Sequence, residues 1–193
     1  METILAIAAG IGLAAACGFR VFVPLLVTAL AVRFGHFTPS AGMAWIGSTP
    51  AIIVLGVATC IEIAAYYIPW VDHLLDTIAT PAAVVAGTVV AATAFGDIHP
   101  VIKWAAAIIA GGGVAAGIQG TTVVARAAST ATTGGLANPI VSTIETIGAI
   151  VMAILAIVLP ILATVLAILV LIVIIRLIRR LRGRPAAAPL CSN

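Results

Sequence analysis

The chain has 193 residues, of which 63% are hydrophobic and only 8% charged, with a formal net charge of +3 and a mean hydropathy of +1.31. A soluble domain carries about 25% charged residues, so this chain cannot cover a water-facing surface and its solvent must be largely lipid. The length suits one compact domain rather than two. Nucleic-acid binding is disfavoured, because the basic residues are neither interleaved with aromatics nor spread over a folded face.

In chain order, the first apolar segment runs from about Thr3 to Phe34. It lacks a positive leading region and a cleavage site, so it reads as a retained membrane segment rather than a signal peptide. As one helix it would be about 48 Å long against a hydrocarbon thickness of about 30 Å. It must tilt, break or fold back, and Gly18-Phe19-Arg20 with Pro24 marks the break. Segment two runs from about Pro50 to Ile68, and segment three from about Thr77 to Phe95. The polar stretch Asp72 to Asp76 between them reads as an interfacial loop, with Tyr66, Tyr67 and Trp70 as an interfacial aromatic belt. Trp45 and Trp104 fit the same role.

Segment four, about Val101 to Thr133, is again overlong and glycine-rich, with Gly120 as its expected break. The final apolar stretch, Ile140 to Ile175, suits two spans with Pro160 at the turn. Five of the nine basic residues follow in one tail: Arg176, Arg179, Arg180, Arg182 and Arg184. Such a cluster marks a cytoplasmic end near anionic headgroups.

The expected fold is therefore all-α: a polytopic transmembrane helical bundle of about six segments. Residues 1–183 form a single transmembrane domain, and 184–193 a short flexible cytoplasmic tail. A shift of 102 residues places Gly10 on Gly112 and Gly18 on Gly120, and a shift of 83 places Ile61-Glu62 on Ile144-Glu145. Two weak repeats follow, 1–98 and 99–183, each opening on a glycine-broken helix. Three spans per half would invert one half relative to the other, the plan of many secondary transporters. Six spans put both termini on the cytoplasmic side of an inner, cell membrane.

Charge inside lipid is costly and marks a pathway or a pair. Arg20 and Arg126 are expected to bind an anionic group such as phosphate or carboxylate, beside backbone N–H groups freed at a break. Gln119, Thr121, Thr122 and Ser129 would line the same cavity, or simply let helices pack closely. Glu62 and Glu145 would couple protons or balance the arginines, and Glu145 equally suits a helix N-terminus. Asp72-His73-x-x-Asp76 has metal-ligand types, but a solvated loop is the better reading. No metal, cofactor or catalytic residue is expected, because zinc-site, nucleophile-elbow and nucleotide-loop motifs are all missing from the sequence. Cys17, Cys60 and Cys191 read as packing residues rather than a disulfide framework.

The stretches Ala15-Ala16-Cys17-Gly18-Phe19-Arg20-Val21-Phe22-Val23-Pro24, Gly117-Ile118-Gln119-Gly120-Thr121-Thr122 and Gly134-Gly135-Leu136-Ala137-Asn138-Pro139 resemble those of a family of small membrane proteins catalogued as domain of unknown function 4126. The resemblance covers nearly the whole chain up to the arginine tail. It implies a bacterial-type polytopic membrane protein and transfers no activity. In plan alone the chain is also similar to small lipid-carrier flippases.

Together these readings point to a transporter or lipid flippase for an anionic substrate, with membrane lipids as its surroundings and a size that allows a homodimer. An oligomeric channel lined by Thr121 to Thr133, or an assembly partner of another membrane protein, are the alternatives.

Overall fold

The computed structural model describes residues 2–68 and 71–182. Among these there is no strand. The helices are α1 (Glu2–Phe19), α2 (Phe22–Arg33), α3 (Thr49–Ala65), α4 (Val71–Ala94), α5 (Pro100–Ala106), α6 (Gly113–Thr133), α7 (Asn138–Val158) and α8 (Pro160–Arg182). A short 3-10 turn, Ala44–Gly47, precedes α3, and a π-helical turn, Ala107–Gly112, joins α5 to α6 without a break. Three helical stretches are long and apolar enough to cross a membrane: Leu74–Ala94, Pro100–Thr133 and Asn138–Val158. With the shorter apolar helices they form an apolar helical bundle, as expected for a membrane protein.

α1 is the hub and packs on α4, α6, α7 and α8. Its buried face is small: Ala14, Ala15, Ala16 and Cys17 are all fully enclosed. Small side chains let helix backbones approach closely, which takes the place of a hydrophobic driving force in lipid. At two crossings only glycine fits. A Cβ on Gly18 would lie 2.4 Å from Cβ of Ile118 and 2.7 Å from the Ala115 carbonyl oxygen. Gly87 and Gly111 face each other so closely that a Cβ on Gly111 would lie 2.6 Å from the Gly87 carbonyl oxygen.

Segment one does break where expected. α1 ends at Phe19, Arg20 is non-helical, and Pro24 sits in the first turn of α2. The chain also reverses there. Gly10 lies against Ala94 and Phe95 at the end of α4, whereas Val21 and Phe22 share a groove with Pro81 and Ala82 of α4. Val32 then meets Gly47, near where Ser40 N–H donates to Thr93 O at 2.8 Å. α1 and α2 are therefore two antiparallel arms. The inverted-repeat plan counted one crossing for this segment, so the expected six crossings, and termini sharing one side, lose their premise.

Two further expectations are corrected. Gly120 is no break: α6 runs through it unbroken, and a Cβ there would meet nothing within 4 Å. The irregular turn of this half lies earlier, at the π-helical Ala107–Gly112. Residues 72–76 are not a loop but the first turns of α4. Pro160 behaves as read. α7 ends at Val158, and α8 packs back on α1 and α6, with the Thr164 hydroxyl donating to Ala8 O at 2.8 Å and Leu171 against Gly117. Arg184, Cys191 and the expected 184–193 tail lie outside the described residues, as does Trp70 of the aromatic belt.

Candidate functional site

The break after α1 leaves backbone N–H groups with no helical partner, a cost that an apolar interior cannot relieve with water. Glu62, on α3, relieves it. One carboxylate oxygen accepts from Val21 N–H at 2.7 Å and the other from Phe22 N–H at 3.0 Å. The buried glutamate is thus the cap of α2 as well as a charge.

Arg20 projects from the same break toward α7 and is 1% exposed. Its Nε donates to Thr146 Oγ1 at 3.1 Å, and its Nη2 donates to the carbonyl oxygen of Ser142 at 2.9 Å and to the Ser142 hydroxyl. Glu145 Oε2 stands 3.6 Å from the same Nη2. Arg126, from α6, reaches the same place and is 3% exposed. Its Nη2 pairs with Glu145 Oε2, and its Nη1 donates to Asp76 Oδ1 at 2.8 Å.

Beneath both cations is one ring. The guanidinium carbons of Arg20 and Arg126 lie 4.0 and 3.8 Å from the centroid of Tyr66, within range of a cation–π contact. The Tyr66 hydroxyl donates to Asp76 Oδ1 at 3.3 Å. The break between α1 and α2 and four helices, α3, α4, α6 and α7, thus bring together two cations, three carboxylates and an aromatic ring. A pocket of about 300 Å³ lies against this centre between α4 and α6, lined by Asp76, Thr77, Thr80, Val123, Arg126 and Ala127.

Of the residues singled out in the sequence, Arg20, Arg126 and Glu145 meet directly, and Glu62 stands behind the break that carries Arg20. Gln119, Thr122, Arg126 and Ser129 recur at helical spacing on one face of α6. Thr121 is turned away from that face and donates to Ile118 O of its own helix. Thr122 is buried but likewise donates to its own helix, at Gln119 O. Gly18 contributes by letting α6 approach.

Two residues were misplaced by sequence reasoning. Tyr66 belongs to no interfacial belt; it is 4% exposed and sits at the centre. Asp76 is a partner of Arg126 rather than a loop residue. For Tyr66 a signal exists, since it follows Glu62 by four residues and shares its helix face. For Asp76 none exists locally, because its partner is 50 positions away.

At the centre, Arg20 Nη1 and Arg126 Nε are buried donors without a hydrogen-bond partner, as is the acceptor Glu145 Oε1; Gln119 Nε2, farther along α6, is likewise unmet.

A family model described as domain of unknown function (DUF4126) matches residues 7–180. The chain belongs to that family. The matched range spans every residue of the charged centre, from Arg20 to Thr146, so the centre lies within the domain itself. No curated protein and no solved structure matches the chain.

Proposed function

We propose that this DUF4126 protein is a membrane transporter for an anionic substrate, a small molecule or a lipid, that bears a phosphate or carboxylate. The observation that supports this reading is the convergence of Arg20 and Arg126, from different helices, on one buried centre with donors to spare. Guanidinium groups bind phosphate and carboxylate through paired N–H donors. In the absence of substrate, Glu145 and Asp76 occupy that role. An arriving anion competes with them, and a proton taken up by Glu145 releases Arg126 Nη2 for the substrate. Uptake of the anion together with a proton follows.

The Asp76–Thr80 pocket is the side from which the anion reaches Arg126. A channel lined by Thr121 to Thr133 is less well supported. Thr121, Thr122, Thr132 and Thr133 each donate to a carbonyl of their own helix, which leaves them no free proton to offer a passing anion.

The test uses the full chain in proteoliposomes, with inorganic phosphate, succinate and a fluorescent phosphatidylglycerol as probes. The expected result is saturable movement of at least one probe, steeper with an inward proton gradient, and lost in Arg20→Gln and Arg126→Gln. Transport that survives both substitutions overturns the reading.

A second reading is favoured by the pairing itself. Arg126 already has two carboxylate partners, as a purely structural clamp in an assembly protein would. That reading predicts no transport of any probe and stable co-purification with a membrane partner.

A further inference from the structure

On the outer side of the same helix break lies a second feature, unrelated to the charges. α3 and α4 both lean on α2 but scarcely touch one another. The gap between them is an open groove of about 430 Å³, lined by Val21 and Leu25 of the α2 side, Leu55 of α3, Ala82 and Val85 of α4, and Trp45. Every described lining residue is apolar. Val85 and Trp45 are 63% and 56% exposed, so the groove opens on the outer surface of an apolar bundle, where the surroundings are lipid.

We propose that this groove holds one acyl chain of an anionic phospholipid. Three observations commit it to that occupant. First, the groove is apolar and elongated: its lining on α4 runs from Pro81 to Val89, about 12 Å, which suits a segment of an acyl chain. Second, the lining supplies no hydrogen-bonding side chain to orient a polar ligand, which leaves hydrocarbon as the matching chemistry. Third, an arginine lies near the Trp45 end. The turn carrying Trp45 continues to Gly47, which packs on Val32, and the next residue, Arg33, is exposed. An exposed arginine at the membrane boundary attracts an anionic headgroup, while a tryptophan there prefers the headgroup level. The chain would enter beside Trp45 and run along α2 toward Val21, whose N–H is held by Glu62 on the far side.

This inference does not rest on anion transport. It predicts a bound lipid whether or not Arg20 and Arg126 move a substrate.

Trp45 supplies its own reporter. In the full chain carrying Trp70→Phe and Trp104→Phe, purified in detergent, Trp45 is the sole tryptophan. Phosphatidylglycerol brominated along its acyl chain is then titrated in. The expected result is saturable quenching at about one lipid per chain, reversed by unbrominated phosphatidylglycerol and at least about tenfold weaker in Ala82→Phe and in Val85→Phe. Val57→Phe, on α3 outside the groove, leaves it unchanged, and thermal unfolding confirms that each variant is folded. Arg33→Gln weakens phosphatidylglycerol but not brominated phosphatidylcholine. Quenching that follows the mole fraction of brominated lipid without saturating, and is the same in Ala82→Phe and Val85→Phe, overturns the site. Equal binding of the two lipids, indifferent to Arg33→Gln, overturns the anionic assignment.

Discussion

Glu62 holds Val21: its carboxylate oxygen accepts the Val21 N–H at 2.7 Å, across 41 positions of sequence. With Phe22 bound at 3.0 Å by the second oxygen, the fold keeps a helix open at the point from which Arg20 departs. Replacing Glu62 with Leu strands both amides in an apolar interior, at about 1–3 kcal/mol each. Glu62→Gln keeps one acceptor oxygen and is expected to lose about half as much. Thermal unfolding in detergent ranks the two; a Leu variant as stable as the wild type would show that the break needs no cap.

The pair Arg126 and Glu145 separates clamp from binding site. Arg126→Leu removes the shared cation of Glu145 and Asp76, leaving Glu145 with Arg20 at 3.6 Å and Asp76 with the Tyr66 hydroxyl, and is expected to cost about 3 kcal/mol of stability. The double variant Arg126→Leu, Glu145→Leu restores part of that stability by removing one buried charge of each sign, while Arg20 keeps Ser142 and Thr146 and Asp76 keeps the Tyr66 hydroxyl. It is nevertheless expected to be silent in proteoliposomes. A stable double variant that still moves the probes would detach transport from these residues.

Glycine 18 sits where α1 crosses α6. Gly18→Ala forces a Cβ into the side chain of Ile118 and the Ala115 carbonyl, and the helices must part at a cost of about 1–3 kcal/mol. Gly56→Ala, whose new Cβ meets nothing within 4 Å, is expected to be neutral or to stabilise α3 by about 0.5–1 kcal/mol. Unfolding midpoints of the two variants should move in opposite directions or, at the least, differ clearly.

The reversal at Arg20 has a topological signature. The Ala41 N–H donates to Asp97 Oδ1 at 2.5 Å, which ties the loop after α2 to the loop after α4 at one end of the bundle. Arg126 and Asp76 meet toward the other end, where Gly134 and Gly135 follow α6. The start of α1 lies at the Asp97 end, since Gly10 packs on Phe95. Single cysteines at Thr3, His36 and Asp97, in a background lacking native cysteines, are therefore expected to react with an impermeant reagent from the same side, and a cysteine at Gly135 only from the opposite side. Labelling of Thr3 from the side opposite to Asp97 would refute the two-arm arrangement.

Much of this was legible in the sequence. The breaks at Arg20 and Pro160 could be read because each is signalled locally, by a glycine beside a charge and by a proline within an apolar run. Arg20, Glu62, Arg126 and Glu145 stood out because charge within lipid needs a reason. Asp76 escaped notice because Asp72-His73-x-x-Asp76 is polar enough to pass for a loop, and only the arrival of Arg126 makes it helical interior. Gly120 misled for the opposite reason. A lone glycine costs a helix about 1 kcal/mol, too little to break one whose neighbours are well packed. The reversal at Arg20 was beyond local reading, because a break states that the chain bends and not how far.

The alanine-lined face of α1 has a consequence for registration. Ala14, Ala15 and Ala16 present nearly uniform small surfaces, and over that stretch a helix shifted by one turn would find almost the same contacts. Among the apolar contacts the Gly18 crossing resists such a shift, which would bring a Cβ against Ile118. The polar end of α1 does so sharply: displaced by one turn, about 5.4 Å, Arg20 would lose Ser142, Thr146 and the ring of Tyr66 together. The charged centre acts as the detent that selects one setting of an otherwise slippery bearing.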